Sequence, residues 1–332
     1  MQLNINELAK TKTFQTNIFN GSKIISYDLG MNVVVITKLS EKVSETKFAI
    51  DNKGFDIIKK FKTPELIFNE ESKTLEVKQG KNKFKIKTFD QDIPQFELSD
   101  MQTTKVNTKA LKRAYKFTSI AETRPILTSV CVKGNGNILA TDSYVLYRFL
   151  KEPNDTDENC SEINITKDFI NVIDSEDEEI ELSFNNSCVI YKKENFTYLG
   201  RLVAGNFPKL NRIFELRQPN ELIYDFDELK EAINFSSNVG KTKETNGIIY
   251  CRLKDNYLKT YGESKYECQL TSTVPEDLDI SFTIDKLLLL LDCYEKENDK
   301  FVLMYNDSRS PVSFAQKNEK IVVAPIAGVY DD

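Results

Sequence analysis

Histidine and tryptophan are absent from all 332 residues. Without histidine the chain lacks the commonest general base, the commonest transition-metal ligand and any Ser-His or Cys-His nucleophile pair. Catalysis is therefore the minority expectation, and no catalytic residue, metal ligand or cofactor is assigned. Cysteine is sparse: Cys131, Cys160, Cys188, Cys251, Cys268 and Cys293 form no CxxC pair and lie far apart. That spacing suggests neither a zinc site nor a disulfide framework, so they read as reduced thiols. Long apolar runs are missing too. A run such as Leu287 to Leu291 is far too short to span a bilayer, and Met1-Gln-Leu-Asn-Ile alternates like a strand instead of forming a signal peptide. The expectation is a cytoplasmic protein with no membrane partner.

Acidic residues outnumber basic ones by 51 to 45, a formal net charge of -6. The excess is uneven. Residues 1–100 carry 16 Lys against 14 acids, residues 101–217 carry 16 of each sign, and residues 218–332 carry 13 basic against 21 acidic. Wrapping DNA tightly through phosphate neutralisation needs a broad basic surface, which this balance argues against. Holding DNA by enclosing it is not excluded. With 40% hydrophobic residues the chain can bury real cores, and its length suits two or three domains.

What is present is a long repeat. Three times an apolar strand runs into a Lys-bearing amphipathic helix and then into a strand that breaks at an aromatic-Asn pair. The helix segments are Phe48 to Ile58, Ile163 to Ile173 and Phe282 to Leu291, and the breaks are Phe68-Asn69, Phe184-Asn185 and Tyr305-Asn306. The period is about a third of the chain, longer than the roughly 20 to 50 residues of solenoid repeats, and matches whole small domains in tandem. Each third opens on an alternating strand and a first helix, at Leu3 to Leu8, Thr104 to Tyr115 and Leu222 to Ile233, with Thr or Asp before the last two as N-caps. Hairpins are marked by Gly134-Asn-Gly136 and Lys254-Asp-Asn256. The fold class is α+β, three tandem copies of two helices on an antiparallel sheet, with boundaries giving 1–100, 101–217 and 218–332 beside Pro94 and Pro219. Such units can join edge to edge, and a repeated head-to-tail contact can close into a ring, six domains for two chains.

Several motifs invite chemistry. The helix starting at Val106 carries Lys109, Lys112, Arg113 and Lys116, with Lys105 just before it, which is either a basic binding stripe or an ordinary solvated face. Lys53, Lys167 and Lys286 each sit at the start of a second helix, where the macrodipole disfavours cations, as though those ends met phosphate. Val239-Gly-Lys-Thr242 suggests a phosphate loop, but Phe235 stands where the pattern needs its first Gly. The acidic run Asp174 to Glu179 reads as a solvated turn, with a metal-dependent nuclease as the enzyme alternative.

Arg124-Pro-Ile-Leu-Thr-Ser-Val130 followed by Leu139-Ala-Thr-Asp-Ser-Tyr-Val-Leu146 resembles the middle domain of the bacterial DNA polymerase III beta sliding clamp. Gly200 to Ile213, with its Phe-Pro turn, and Asp307-Ser-Arg-Ser-Pro-Val312 with Ile321-Val-Val-Ala-Pro-Ile326 are similar to later parts of that family. The resemblance implies a head-to-tail homodimeric ring that encircles duplex DNA without reading its sequence. It would tether a polymerase and other replication and repair proteins, confer processivity, and meet its clamp loader through a short peptide motif. The alternative is a clamp-like scaffold or decoy that binds replication peptides without encircling DNA. By resemblance the peptide pocket, between the middle and last domains, comprises Leu127, Thr141, Ser143, Tyr144, Val145, Leu146, Pro208, Arg212, Ile213, Arg309, Pro311, Val322, Val323, Ala324, Pro325 and Ile326.

DNA-facing positions on this reading are Lys53, Lys59, Lys60, Lys105, Lys109, Lys112, Arg113, Lys116, Arg124, Lys167 and Lys286, with Lys62 beside them. The ring contact would use Phe84 as an apolar plug flanked by Lys83, with Val239 opposite, and the +2 against -8 charge difference between the outer thirds favours head-to-tail pairing. The chain departs from the family where His-Arg-Leu is usual and Tyr144-Val-Leu146 stands, and where Met-Pro-Met-Arg-Leu is usual and Ala324-Pro-Ile-Ala-Gly328 stands before an acidic tail. A different peptide preference is expected from that altered rim.

Overall fold

A computed structural model describes residues 14–28, 30, 32–152, 160–173, 176–239, 250–254, 256–261, 266–273, 278–295 and 299–326. The expected opening elements at Leu3 to Leu8 and the acidic tail after Gly328 lie outside the described residues, as do Asp174 and Ser175 of the acidic run. The chain forms two compact units: residues 1–108, 132–136 and 161–205 make one, and residues 109–131, 137–160 and 206–332 the other.

The first unit is built on an antiparallel eight-stranded sheet. Its order is Ser44–Asp51, Thr16–Gly21, Lys23–Tyr27, Val33–Lys38, Phe196–Arg201, Cys188–Lys193, Glu179–Phe184, Gln102–Asn107. The sheet is continuous across thirds of the chain because Val33–Lys38 pairs with Phe196–Arg201, setting Val35 opposite Tyr198 and Val33 opposite Gly200. Strands from the first and middle thirds of the chain therefore pair edge to edge in one sheet. Helix Asn52–Lys59 lays Phe55 and Ile58 into a core with Phe19, Phe48 and Leu75. There Phe48 stacks on Phe19 and Phe68, with ring centroids 5.0 and 4.3 Å away. Helix Lys167–Val172 packs Phe169 onto the bare backbone of Gly200, where a Cβ would lie 2.5 Å from the ring. A separate three-stranded sheet, Glu65–Asn69, Thr74–Gln79 and Asn82–Lys87, ends on Asn82–Lys87 as an edge strand.

In the second unit the strands run Ile138–Thr141, Val145–Phe149, Glu319–Val323, Val312–Gln316, Lys300–Tyr305, Asn220–Asp225, Ser272–Thr273. Val145–Phe149 with Glu319–Val323 is a second cross-third pairing. A four-stranded sheet, Tyr266–Gln269, Tyr257–Tyr261, Tyr250–Lys254 and Asp279–Thr283, completes it beside helices Phe226–Val239 and Ile284–Cys293. Helix Ile284–Cys293 buries Leu287, Leu290 and Leu291 at one-face spacing.

The three repeated segments are strand first and helix second. Phe48 to Asp51, Ile163 to Thr166 and Phe282 to Thr283 are strand, and the helices begin only at Asn52, Lys167 and Ile284. The switch is chemical in the first two copies. Asp51 Oδ1 accepts the Gly54 N–H at 2.7 Å and Thr166 Oγ1 accepts the Phe169 N–H at 3.3 Å, satisfying backbone donors that only a helix start exposes. The basic helix likewise begins at Thr108, not Val106. Val106 and Lys105 belong to strand Gln102–Asn107, where Val106 is fully buried and Lys105 pairs in register with Glu181. At the aromatic-Asn breaks, Asn69 and Asn185 use their side-chain oxygens to accept backbone N–H groups of Ser72 and Ser187, and in the last copy Asp307 takes that task for Arg309 and Ser310.

Candidate functional site

The site residues of the middle and last thirds meet in the second unit. Leu146 and Val322 stand opposite each other in register on strands Val145–Phe149 and Glu319–Val323. Strand alternation puts both on one face, and Val145, Tyr147, Ile321 and Val323 on the other. The first face is an apolar cluster of Cys131, Leu139, Leu146, Phe207, Leu210, Phe214 and Val322, with Ile126 and Ile213 half-buried against it. Val145 and Val323 are 1% and 0% exposed, so they form the wall's far side. Leu127 is buried as well. Phe207, Leu210 and Phe214 were not among the expected pocket residues. Their i, i+3, i+7 spacing, running into the short helix Asn211–Phe214, is the sequence signal that would have found them. Pro208 and Arg212 are exposed on the same segment, and Ala324, Pro325 and Ile326 are half-buried.

The loop between Thr141 and Val145 is tightly tied. Asp142 Oδ1 accepts the N–H groups of Tyr144 and Val145, both at 2.8 Å, while Thr141 Oγ1 donates to the Val145 carbonyl at 2.8 Å and accepts the Ser143 N–H at 3.0 Å. Ser143 is held at φ +86°, a conformation costly for a residue with a Cβ. Arg124 Nη1 donates to Ser143 Oγ at 2.9 Å, and Lys286 pairs with the other oxygen of Asp142. Tyr144 is left 66% exposed. The last segment is pinned nearby, since Ala324 N donates to Tyr144 O at 2.9 Å and Ile326 N to Ser281 O at 2.8 Å. Arg309 is exposed on the Asp307-capped turn, and the Pro311 carbonyl accepts from Gln218.

The basic stripe is partly occupied within the chain. Arg113 binds Glu319 at 2.7 Å and Glu295 at 2.9 Å, Lys109 and Lys317 also bind Glu295, and Lys116 lies 3.3 Å from Asp292. The hydrogen bonds from Lys109 and Lys317 hold the Glu295 carboxyl down at about 2. Tyr147 O–H donates to Glu319 at 3.0 Å, and burial pushes that phenol well up. Lys53, Lys60, Lys105, Lys112 and Arg124 are exposed; Lys59 and Lys167 are half-buried. Burial lowers the Lys59 pKa as its ammonium sits 5.3 Å from the Phe55 ring centroid.

Phe84 is 44% exposed on the edge strand Asn82–Lys87, sharing a face with buried Ile86, while Lys83 pairs with Glu76 at 2.7 Å. Val239 ends its helix and its side chain lies outside the described residues. Phe235, one turn earlier, is 53% exposed and packs 5.0 Å from the ring of Tyr266, on the edge strand Tyr266–Gln269. Among the described residues no group of three or more Cys, Asp or Glu is placed to hold a metal ion. Burial raises the Cys251 and Cys293 thiols to about 12, so both are protonated at neutral pH.

No family model matches the chain. Among curated relatives, the beta sliding clamp of Lactococcus lactis is 27% identical over 242 residues, 66% of this chain and 63% of the relative. That of Staphylococcus aureus is 28% identical over 263 residues, 74% of this chain and 65% of the relative. The matches thus span somewhat under two thirds of those relatives. Among solved structures, the DNA polymerase III beta chain of Streptococcus pneumoniae superposes with a TM-score of 0.79 at 19% identity, covering 98% of this chain and 99% of that one. The beta subunit of Thermotoga maritima gives 0.78 at 15% identity, covering 99% of both. The chain has the α+β fold of the bacterial DNA polymerase III beta sliding clamps, and it resembles members of that family in sequence.

Proposed function

We propose that the chain is a sliding clamp, a non-enzymatic ring that encircles duplex DNA and tethers a replicative polymerase to it. The observation that carries this reading is the agreement in fold with beta subunits along nearly the whole of both chains, alongside relatives named beta sliding clamps. The chain would comprise three domains near 1–100, 101–217 and 218–332. The thrice-repeated strand-to-helix junction supports that division. Residence on DNA would come from topology, since a closed ring leaves only by opening or by sliding off an end. Weak phosphate contacts then suffice, and the exposed side chains of Lys53 and Lys60 fit them, whereas Lys109, Arg113, Lys116 and Lys286 are held by carboxylates of the chain.

Two copies would close the ring head to tail. The Lys-rich edge strand Asn82–Lys87 with Phe84 would meet the acidic last third of the other copy at Phe235 and the edge strand Tyr266–Gln269. Exposed edges bearing an aromatic side chain and opposite charge suit strand addition. Polymerase and clamp loader would dock by a short peptide whose apolar anchor lies against Leu146, Ile213 and Val322. No helix of the described residues is long and apolar enough to cross a membrane, and the proposed place of action is DNA in the cytoplasm. The test is retention on circular against linear DNA after loading. It also separates the ring from a scaffold that binds peptides without encircling DNA.

A further inference from the structure

Three cations converge on one carboxylate in the second unit. Glu295 Oε1 accepts from Lys109 Nζ and, at 2.9 Å, from Arg113 Nη2, while Oε2 accepts from Lys317 Nζ at 2.9 Å. Beside them Lys116 Nζ lies 3.3 Å from Asp292. Lys109, Arg113 and Lys116 come from the middle third, and Lys317 from the turn between strands Val312–Gln316 and Glu319–Val323. Lys317 takes φ +52°, a left-handed backbone conformation that Gly adopts more readily. Lys109 and Lys317 are each 62% exposed, so solutes can reach both ammonium groups.

Backbone ties fix the place of Glu295 independently of its charge. Its N–H donates to Gln316 Oε1 at 2.9 Å, its carbonyl accepts from Gln316 Nε2 at 2.5 Å, and the preceding Tyr294 packs on Phe226 and Phe301. Ion pairs as exposed as those of Lys109, Lys317 and Lys116 hold weakly, because water solvates the separated partners nearly as well. These lysines can exchange a carboxylate for another oxyanion, whereas Arg113 stays on Glu319, where both side chains are largely buried. A phosphodiester presents two non-bridging oxygens and a single negative charge, as a carboxylate does, and each lysine that takes a DNA phosphate also releases condensed counterions. We propose that Glu295 and Asp292 occupy a phosphodiester site of the chain's own, an autoinhibitory contact in which they hold Lys109, Lys317 and Lys116 and yield them to the backbone of duplex DNA. Such a mask keeps each DNA contact weak, which suits a protein that slides. Its functional sense rests on the encircling reading above.

The test measures binding of the full chain to a short, blunt, fluorescent DNA duplex across a salt series. Glu295→Gln is compared with Glu221→Gln, which removes the same single charge from an exposed position on strand Asn220–Asp225. Glu295→Gln tightens duplex binding at least about fivefold and steepens the fall of log K with log salt by about one, the increment of one added phosphate contact, while Glu221→Gln changes affinity by less than about twofold. Adding Lys109→Gln and Lys317→Gln to Glu295→Gln abolishes the gain. A gain no larger than that of Glu221→Gln, or one that survives loss of both lysines, overturns the proposal. Should Glu295→Gln fail to fold, Asp292→Asn, at a largely exposed side chain, frees Lys116 and decides by the same comparison with Glu221→Gln. Retention on circular DNA separates the two readings. Loss of the unchanged chain and of Glu295→Gln alike from loaded circles removes encirclement, while the duplex measurement still decides the mask.

Discussion

Arg113 holds Glu319 and Glu295 at once, with Nη1 2.7 Å from one carboxylate and Nη2 2.9 Å from the other. Its side chain is 14% exposed and that of Glu319 11%, so the charge of each is balanced mainly by the other. Removing one partner of a buried pair leaves the other unmatched, at about 3 to 5 kcal/mol. Arg113→Met should lower the stability of the second unit by that order, measured by urea unfolding. A change below about 1 kcal/mol would show that the pair is solvated instead.

Glu295 gives the same network a pH signature. Its carboxyl is depressed from the ordinary 4.5 to about 2, chiefly by the hydrogen bonds from Lys109 and Lys317. A depressed carboxyl contributes stability that is complete above the unfolded-state value and is lost as pH falls through the folded one. The unchanged chain should therefore melt above Glu295→Gln at neutral pH, with the gap in Tm closing from about pH 4.5 to about pH 2. A gap independent of pH over that window would remove the assignment.

The proposed peptide site predicts a separation of binding from stability. Leu127 is 6% exposed, so its truncation would damage the fold. Ile213 and Ile326 are half-buried and are better probes. Ile213→Ala with Ile326→Ala should weaken a polymerase peptide by at least about tenfold, since truncating apolar anchors costs about 1 kcal/mol or more each. Chain mass in solution should not change. Unaltered peptide affinity would place the anchor elsewhere.

Phe84 is exposed on the edge strand Asn82–Lys87, and Phe235 is exposed on helix Phe226–Val239 beside the edge strand Tyr266–Gln269. Phe84→Asp should convert the proposed dimer to monomer in sedimentation velocity at micromolar concentration, and Phe235→Asp should do the same. Burying an unpaired carboxylate in an apolar contact is the cause. A dimer that persists in both variants would rule out this contact.

The repeated strand-to-helix switch is legible from Asp51, Thr166 or Thr283 standing before an apolar helical stripe, although Thr283 makes no side-chain cap bond. Exact starts are less legible: Phe48 to Ile50 is as apolar as the helix after it, and only the cap reveals where the strand stops. The apolar cluster around Leu146 and Val322 is partly legible by resemblance, while Phe207, Leu210 and Phe214 require noticing a helical spacing across a turn. The ion pairing of the basic stripe is not legible in the sequence, for a physical reason. Lys109 and Arg113 look solvated until residues some 180 to 200 positions later, Glu295 and Glu319, are brought beside them, and no local pattern records that.

Encirclement is tested most directly by loading the protein with a clamp loader onto nicked circular DNA, linearising half the sample, and measuring how much stays bound. A sliding ring remains on the circle and is lost from the linear form within its sliding time, and blocking the ends restores retention. Equal loss from both forms, or equal retention on both, contradicts the account.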